Sequence, residues 1–101
     1  MNSREAPRIR IDDVVFRSPD LLSAELDAEV ILLDAEAGRY FALDGVGRVI
    51  WEAIDPSARV AELCAAVLAR FEVDEATCVR DVLAFLEQLA DRKLIGVRPG
   101  G

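Results

Sequence analysis

Between Glu29 and Ile54 the spacing of apolar positions changes period once, from two to between three and four. Val30 to Leu33 reads as a strand, Ala35 to Gly38 as a short loop, and Arg39 to Leu43 as the returning strand, with Tyr40 and Phe41 on opposite faces. Gly38 suits the left-handed position that closes such a hairpin. Beyond it, Val46, Val49, Ile50, Ala53 and Ile54 step by three and four, which predicts an amphipathic helix. Asp44 is placed to accept hydrogen bonds from the first free amides of that helix, and Pro56 stops it.

The flanks are simpler. Val14, Val15 and Phe16 form a short strand candidate before Pro19, while Leu21 to Leu26 reads as a turn or a single helical turn. Val60, Leu63, Cys64, Val67, Leu68 and Phe71 predict a second helix over Ala58 to Phe71, with Ser57 as its cap. Asp74 then caps a third helix striped by Val79, Val82, Leu83, Leu86 and Leu89, and Arg92 and Lys93 suit its negative C-terminal end. Leu94, Ile95 and Val97 pack back on the core. Three strands followed by three helices indicate an α+β domain with helices on one face of an antiparallel meander. The expected organisation is a flexible lead-in over 1–13, one domain over 14–97 and a frayed tail over 98–101.

A chain of 101 residues, 52% hydrophobic and 31% charged, has the make-up of one small globular domain. No apolar run nears the roughly 20 residues of a membrane span, and the first residues form no secretory pattern, so no membrane role and a cytoplasmic location are expected. The net charge of −7 argues against a surface built for nucleic acid. It favours a protein or peptide partner, or serves solubility alone. Cys64 and Cys78 belong to no paired-cysteine motif and read as buried free thiols rather than a disulfide or a metal site.

The chain has no histidine and no glycine-rich phosphate loop after a strand, so no catalysis and no cofactor are expected. Asp12 with Asp13, and Asp34 with Glu36, read as solvated turn residues rather than an acid and base pair. Gly45 and Gly47 could open an anion site at a helix start. Asp44 would repel the anion, and close packing of the helix start against the sheet accounts for the glycines better. Tyr40, Phe41 and Trp51 lack the interleaved basic residues of a base-stacking platform. Trp51 lies off the main stripe and either closes one side of the sheet or is partly exposed in a partner site. In the third helix, Cys78, Asp81, Phe85 and Gln88 fall on a shoulder beside the main stripe. Phe85 either covers the second helix or lines a groove beside the open strand.

The segments LLDAEAGRYFALDGVGRVIWEAI, VAELCAAVLARFEVD and DVLAFLEQLADRKLI, in this order and spacing, resemble the PqqD-like family of peptide-recognition domains in ribosomal peptide modification. The resemblance spans residues 14 to 97. It implies a winged-helix-like domain with a three-stranded antiparallel sheet followed by three helices. It also implies binding of the leader segment of a precursor peptide, which adds as a strand to the edge of the third strand in a groove shared with the third helix. Carried onto this chain, the edge is Arg39, Tyr40, Phe41, Ala42 and Leu43, and the groove wall is Cys78, Asp81, Val82 and Phe85. The GRYFALD hairpin and the IW pair look most like the stand-alone proteins of lasso-peptide clusters, which implies a modifying enzyme as second partner, such as a leader protease or a cyclase. A chaperone role in pyrroloquinoline quinone synthesis or another peptide-derived pathway is the alternative within the family. One departure from the family pattern is Arg59, where a capping Thr or Ser is usual.

The residues support the same mechanism independently. A third strand that runs directly into a helix leaves its outer edge without an obvious partner, and such edges pair with extended peptides. Two readings compete. Helices two and three could form the helix-turn-helix of a DNA regulator, although Glu75, Asp81, Glu87 and Asp91 outnumber Arg80, Arg92 and Lys93 on the third helix. The edge strand could instead pair with itself in a homodimer.

Overall fold

The computed structural model describes residues 9–100. Its elements run β1 (Val14–Arg17), β2 (Leu22–Leu26), β3 (Glu29–Asp34), β4 (Arg39–Leu43), α1 (Gly45–Ala53), β5 (Ser57–Arg59), α2 (Val60–Arg70), α3 (Glu75–Asp91) and β6 (Ile95–Arg98). The α+β class and the three helices agree with the sequence reading, and winged-helix-like describes the arrangement loosely. The strands form two antiparallel sheets, ordered β2-β3-β4 and β5-β1-β6.

The three-stranded meander has a different membership from the one expected. Leu22–Leu26 is neither a turn nor a helical turn but the first strand of the meander, with Leu22 opposite Leu33 and Leu26 opposite Glu29. Its tight connection to β3 rests on Asp27 at a φ of 49°, and an Asp in that conformation without a following glycine leaves little trace in the sequence. Val14–Arg17 is a strand as expected, but it pairs with β5 and β6. Phe16 faces Gly96 in that second sheet, and its ring fills the space a side chain at 96 would need.

The β3–β4 hairpin is as read. Gly38 takes a φ of 69°, and the Asp34 carboxylate accepts a 3.2 Å hydrogen bond from the Ala37 amide inside the loop. Two cap assignments fail. Asp44 occupies the N-cap of α1 but its side chain accepts no capping bond. Ser57 lies in β5, so α2 starts at Val60 with Arg59 at the N-cap, where the Glu62 carboxylate accepts from the Arg59 amide at 3.0 Å. The Asp74 cap is present: its carboxylate accepts from the Thr77 amide at 3.0 Å and the Thr77 hydroxyl at 2.8 Å.

The core lies between the meander and the helices and joins Val30 and Leu32 of β3, Ile50, Trp51 and Ile54 around α1, Leu63 of α2, Leu86 of α3, and Leu94 with Ile95 after it. Leu94 and Ile95 are buried as expected, whereas Val97 is more than one third exposed. Of the expected lead-in, residues 1–8 lie outside the described residues. Residues 9–13 are held in place: Ile9 is buried and donates its amide to Glu87 Oε2 at 2.8 Å, and Asp13 accepts from the Arg10 amide at 2.9 Å. At the other end β6 runs through Arg98, which pairs with Val14. Cys64 and Cys78 are buried free thiols, with Cys78 Sγ donating toward the Cys64 carbonyl at 3.6 Å.

Candidate functional site

Strand β4 pairs with β3 on one side only. Peptide units along an antiparallel edge strand alternate between the partner and open space, so its outer side presents unpaired amides and carbonyls. Beside that edge, between β4 and the C-terminal half of α3, lies a pocket of about 220 Å³ lined by Phe41, Ala42, Leu43, Phe85, Gln88, Leu89, Arg92 and Leu94. Leu89 and Leu94 are buried and make its floor, while Phe41 and Leu43 face Phe85 across it.

The period of two sorts the edge residues. Arg39, Phe41 and Leu43 share the face of β4 that looks to the helices, with Phe41 opposite the buried Leu32. Tyr40 and Ala42 belong to the outer face. Tyr40 is 71% exposed, in a row with Leu33 and Leu22, which are also exposed. What Ala42 contributes to the pocket is therefore main chain. Of the two aromatics in this strand, Phe41 lines the groove and Tyr40 does not.

On α3 the sequence-derived wall is brought together only in part. Phe85 lines the groove, but Cys78 and Val82 are buried in the core, and Asp81 is exposed 3.6 Å from Arg80 Nε. The upper half of the helix faces α2, as the contact from Cys78 to the Cys64 carbonyl shows. The residues missed are Gln88, Leu89, Arg92 and Leu94. Gln88, Leu89 and Arg92 follow Phe85 at three, four and seven positions, one helical line that continues from it. Cys78, Asp81 and Val82 precede it at seven, four and three, so spacing alone gives both directions equal standing.

Two further features frame the site. A Cβ on Gly47 would lie 3.2 Å from Phe85 Cζ, so the start of α1 reaches the groove through this glycine; Gly45 has open space around it and takes a φ of 52°, so its role is conformational. Close packing thus accounts for one of the two glycines, with the Phe85 ring as its nearest neighbour. Arg39 and Arg92 each hold a guanidinium carbon 5.6 Å from the centre of the Phe41 ring. Trp51 is buried beneath Arg17, away from the groove, so of its two readings the exposed one fails.

A second depression of about 270 Å³ is lined by Ser18, Pro19, Asp20, Leu21, Asp34, Glu36 and Lys93. Among the described residues, no group of three or more acidic or cysteine side chains is arranged to hold a metal ion, and no helix is long and apolar enough to cross a membrane.

The sequence profile of the family described as Coenzyme PQQ synthesis protein D (PqqD) matches residues 29–95, more than half of the chain. This chain belongs to the PqqD family. Among solved structures it is similar to TbiB1, determined in complex with the TbiA(beta) leader peptide, with 38% identity, a TM-score of 0.74, and coverage of 79% of this chain and 93% of that one. The lasso peptide synthetase B1 complexed with its leader peptide shares the fold at 20% identity, with a TM-score of 0.69 over 81% of this chain and 96% of the other. So does the PqqD truncation of Methylobacterium extorquens PqqCD, described as a stand-alone recognition element for ribosomally synthesized and post-translationally modified peptides. It shows 21% identity, a TM-score of 0.70, and coverage of 89% of this chain and 96% of that one. No curated protein sequence matches the chain. The match to the PqqD family begins at β3 and ends at the first residue of β6, so it contains β4, α3 and the groove between them.

Proposed function

We propose that this PqqD-family protein binds the leader segment of a ribosomally made precursor peptide as an additional strand on β4, in the cytoplasm, and presents it to the enzymes of lasso-peptide maturation, a leader protease and a cyclase. The protein contributes recognition and no bond-making chemistry of its own. The observation that carries this reading is the open edge of β4 lying along a pocket that opens between the strand and α3. Backbone pairing supplies affinity that any extended peptide can share, at a net of about 0.5 to 1.5 kcal/mol per hydrogen bond. Selectivity then falls to the alternate side chains that enter the pocket formed by Phe41, Leu43, Phe85 and Leu89. The lasso assignment leans on TbiB1, the leader-bound relative at 38% identity.

The test uses a fluorescein-labelled synthetic peptide covering the leader of a short precursor encoded beside this protein. Polarisation should show saturable binding at micromolar concentration or tighter, and hydrogen exchange at the amides of Arg39 to Leu43 should slow when the peptide is added. Absence of binding to a folded sample would overturn the recognition role. Binding that leaves exchange in β4 unchanged would overturn strand addition.

A further inference from the structure

The groove has a polar end that its apolar lining does not explain. Arg39 comes from the hairpin and Arg92 from the C-cap of α3, and each guanidinium carbon lies 5.6 Å from the centre of the Phe41 ring. The chain carries 19 acidic residues against 12 basic ones, so two cations against one groove residue run against the overall balance. Arg48, by comparison, is paired with Glu52 at 2.9 Å and Glu25 at 3.6 Å, and Arg80 lies 3.6 Å from Asp81. Among the described residues no carboxylate pairs with Arg39 or Arg92. Asp34 stands opposite Arg39 in register but accepts from the Ala37 amide instead. Each guanidinium at this site can therefore pair with an incoming carboxylate.

We infer that the groove selects a peptide bearing an Asp or Glu side chain two or four residues away from a large apolar one. The apolar side chain fills the pocket beside Phe41 and Phe85, and the carboxylate pairs with Arg39 or Arg92 beside the same ring. The spacing follows from strand geometry: side chains of an added strand return to the same face every second residue, and Arg39, Phe41 and Leu43 mark that face on β4. The chemistry follows from the guanidinium fork, whose donors match a carboxylate and bond it more strongly than neutral donors do. Contact with the Phe41 ring restrains both arginines before the peptide arrives, so less freedom is lost on binding. This inference rests on the strand-addition reading and adds a ligand class to it.

A phage-displayed library of random dodecapeptides, selected against the immobilised full chain and against the Arg39→Gln, Arg92→Gln double variant, separates the two ideas. Circular dichroism on both proteins verifies the fold, which exposed substitutions of this kind should preserve. Peptides selected by the wild type should carry an acidic residue at the stated spacing from a large apolar one. The Glu-to-Gln twin of the best peptide should bind the wild type about tenfold more weakly, the loss expected for one charge-assisted hydrogen bond. The double variant should bind both twins equally. Selection of apolar pattern alone, or a preference for acid that persists in the double variant, would overturn the carboxylate subsite and leave strand addition standing. No enrichment on a folded sample would overturn both.

Discussion

The guanidinium of Arg17 lies 4.6 Å from the centre of the Trp51 ring, and its Nη2 donates a 2.8 Å hydrogen bond to the Trp51 carbonyl. This contact ties β1, in the second sheet, to the C-terminal end of α1. Trp51 is 2% exposed, and among the described residues neither its indole N–H nor Arg17 Nε has a hydrogen-bond partner, so the arginine's contribution lies in its contact with the ring face and its bond to the Trp51 carbonyl. Arg17→Ala removes a partly desolvated cation–π contact and a charge-assisted hydrogen bond. The expected loss is about 2 kcal/mol, or a fall in Tm of roughly 10 °C for a domain of this size. Trp51 is the only tryptophan, so its fluorescence during melting reads the effect directly. Arg17→Lys should recover less than half of the loss, because an ammonium lacks the planar fork that stacks and donates together.

Phe41 and Tyr40 are adjacent aromatics on opposite faces of β4, and they separate groove contacts from general effects on the strand. Phe41→Ala should weaken binding of the leader peptide by about 2 kcal/mol, roughly thirtyfold, as expected for an aromatic anchor in a pocket. Tyr40→Ala should change it by less than about threefold. Fluorescence polarisation on both variants measures the difference, and equal losses would mean that the peptide does not enter the pocket between β4 and α3.

Gly47 offers a way to alter the groove while sparing the fold. An alanine there places its Cβ 3.2 Å from the end of the Phe85 ring, and that half-buried ring borders open volume into which it can shift. Alanine in place of glycine favours the helix by about 1 kcal/mol. Gly47→Ala should therefore leave Tm unchanged or slightly raised while peptide affinity falls, because the displaced ring narrows the pocket. A marked fall in Tm would show that Phe85 has no room to move.

What the sequence disclosed and what it withheld divide along physical lines. The β3–β4 hairpin, α1 and α3 were legible because their apolar spacing is regular and because Gly38 and Asp74 mark their boundaries chemically. β2 was not: Leu22, Ala24 and Leu26 alternate with Ser23 and Glu25 as a strand requires, but the run is only five residues long, wholly exposed and set among Asp, Ser and Glu residues that suit a turn. β5 is three residues long and runs directly into α2, so the period of the helix masks it. In the site, the alternation put Tyr40 and Phe41 on opposite faces of the strand but did not say which of them faces α3, a choice that the opposition of Phe41 to the buried Leu32 makes. The helix half was not legible, because the line through Phe85 extends equally well toward Cys78 or Arg92, and only the packing of Cys78 against α2 settles which end faces β4.

Burial sets the chemistry of Cys64. Its thiol pKa is pushed up to about 11, chiefly by loss of solvation and further by the neighbouring Cys78. The neutral thiol is the unreactive form. In the folded protein near pH 8, Cys64 should resist a maleimide reagent that labels it within minutes in urea. The same shift makes stability depend on alkali. The unfolded chain gives up this proton near pH 9 while the folded chain keeps it to about 11, so the contribution is complete below the lower value and is lost as pH rises through the interval. Cys64→Ala should flatten that alkaline decline, and rapid labelling of the native protein would contradict the burial of the thiol.

The opposite sign applies at Asp74. The amide and hydroxyl of Thr77 both donate to its carboxylate and hold its pKa below the usual carboxylate range. Folding therefore favours the ionised form. The contribution is present above the ordinary carboxylate pKa and disappears as pH falls through the lowered folded value. Asp74→Ala removes both bonds at the N-terminus of α3, and a fall in Tm on the order of 5 °C at neutral pH is the usual scale for a lost cap in a small domain. The difference in Tm between wild type and variant should begin to shrink as pH drops below about 4, where the unfolded chain takes up the proton, and should be gone once pH has passed below the lowered folded value, where the cap itself is neutralised. Melting curves of the two proteins across the acid range check this, and a difference independent of pH would show that Asp74 acts through its shape and not its charge.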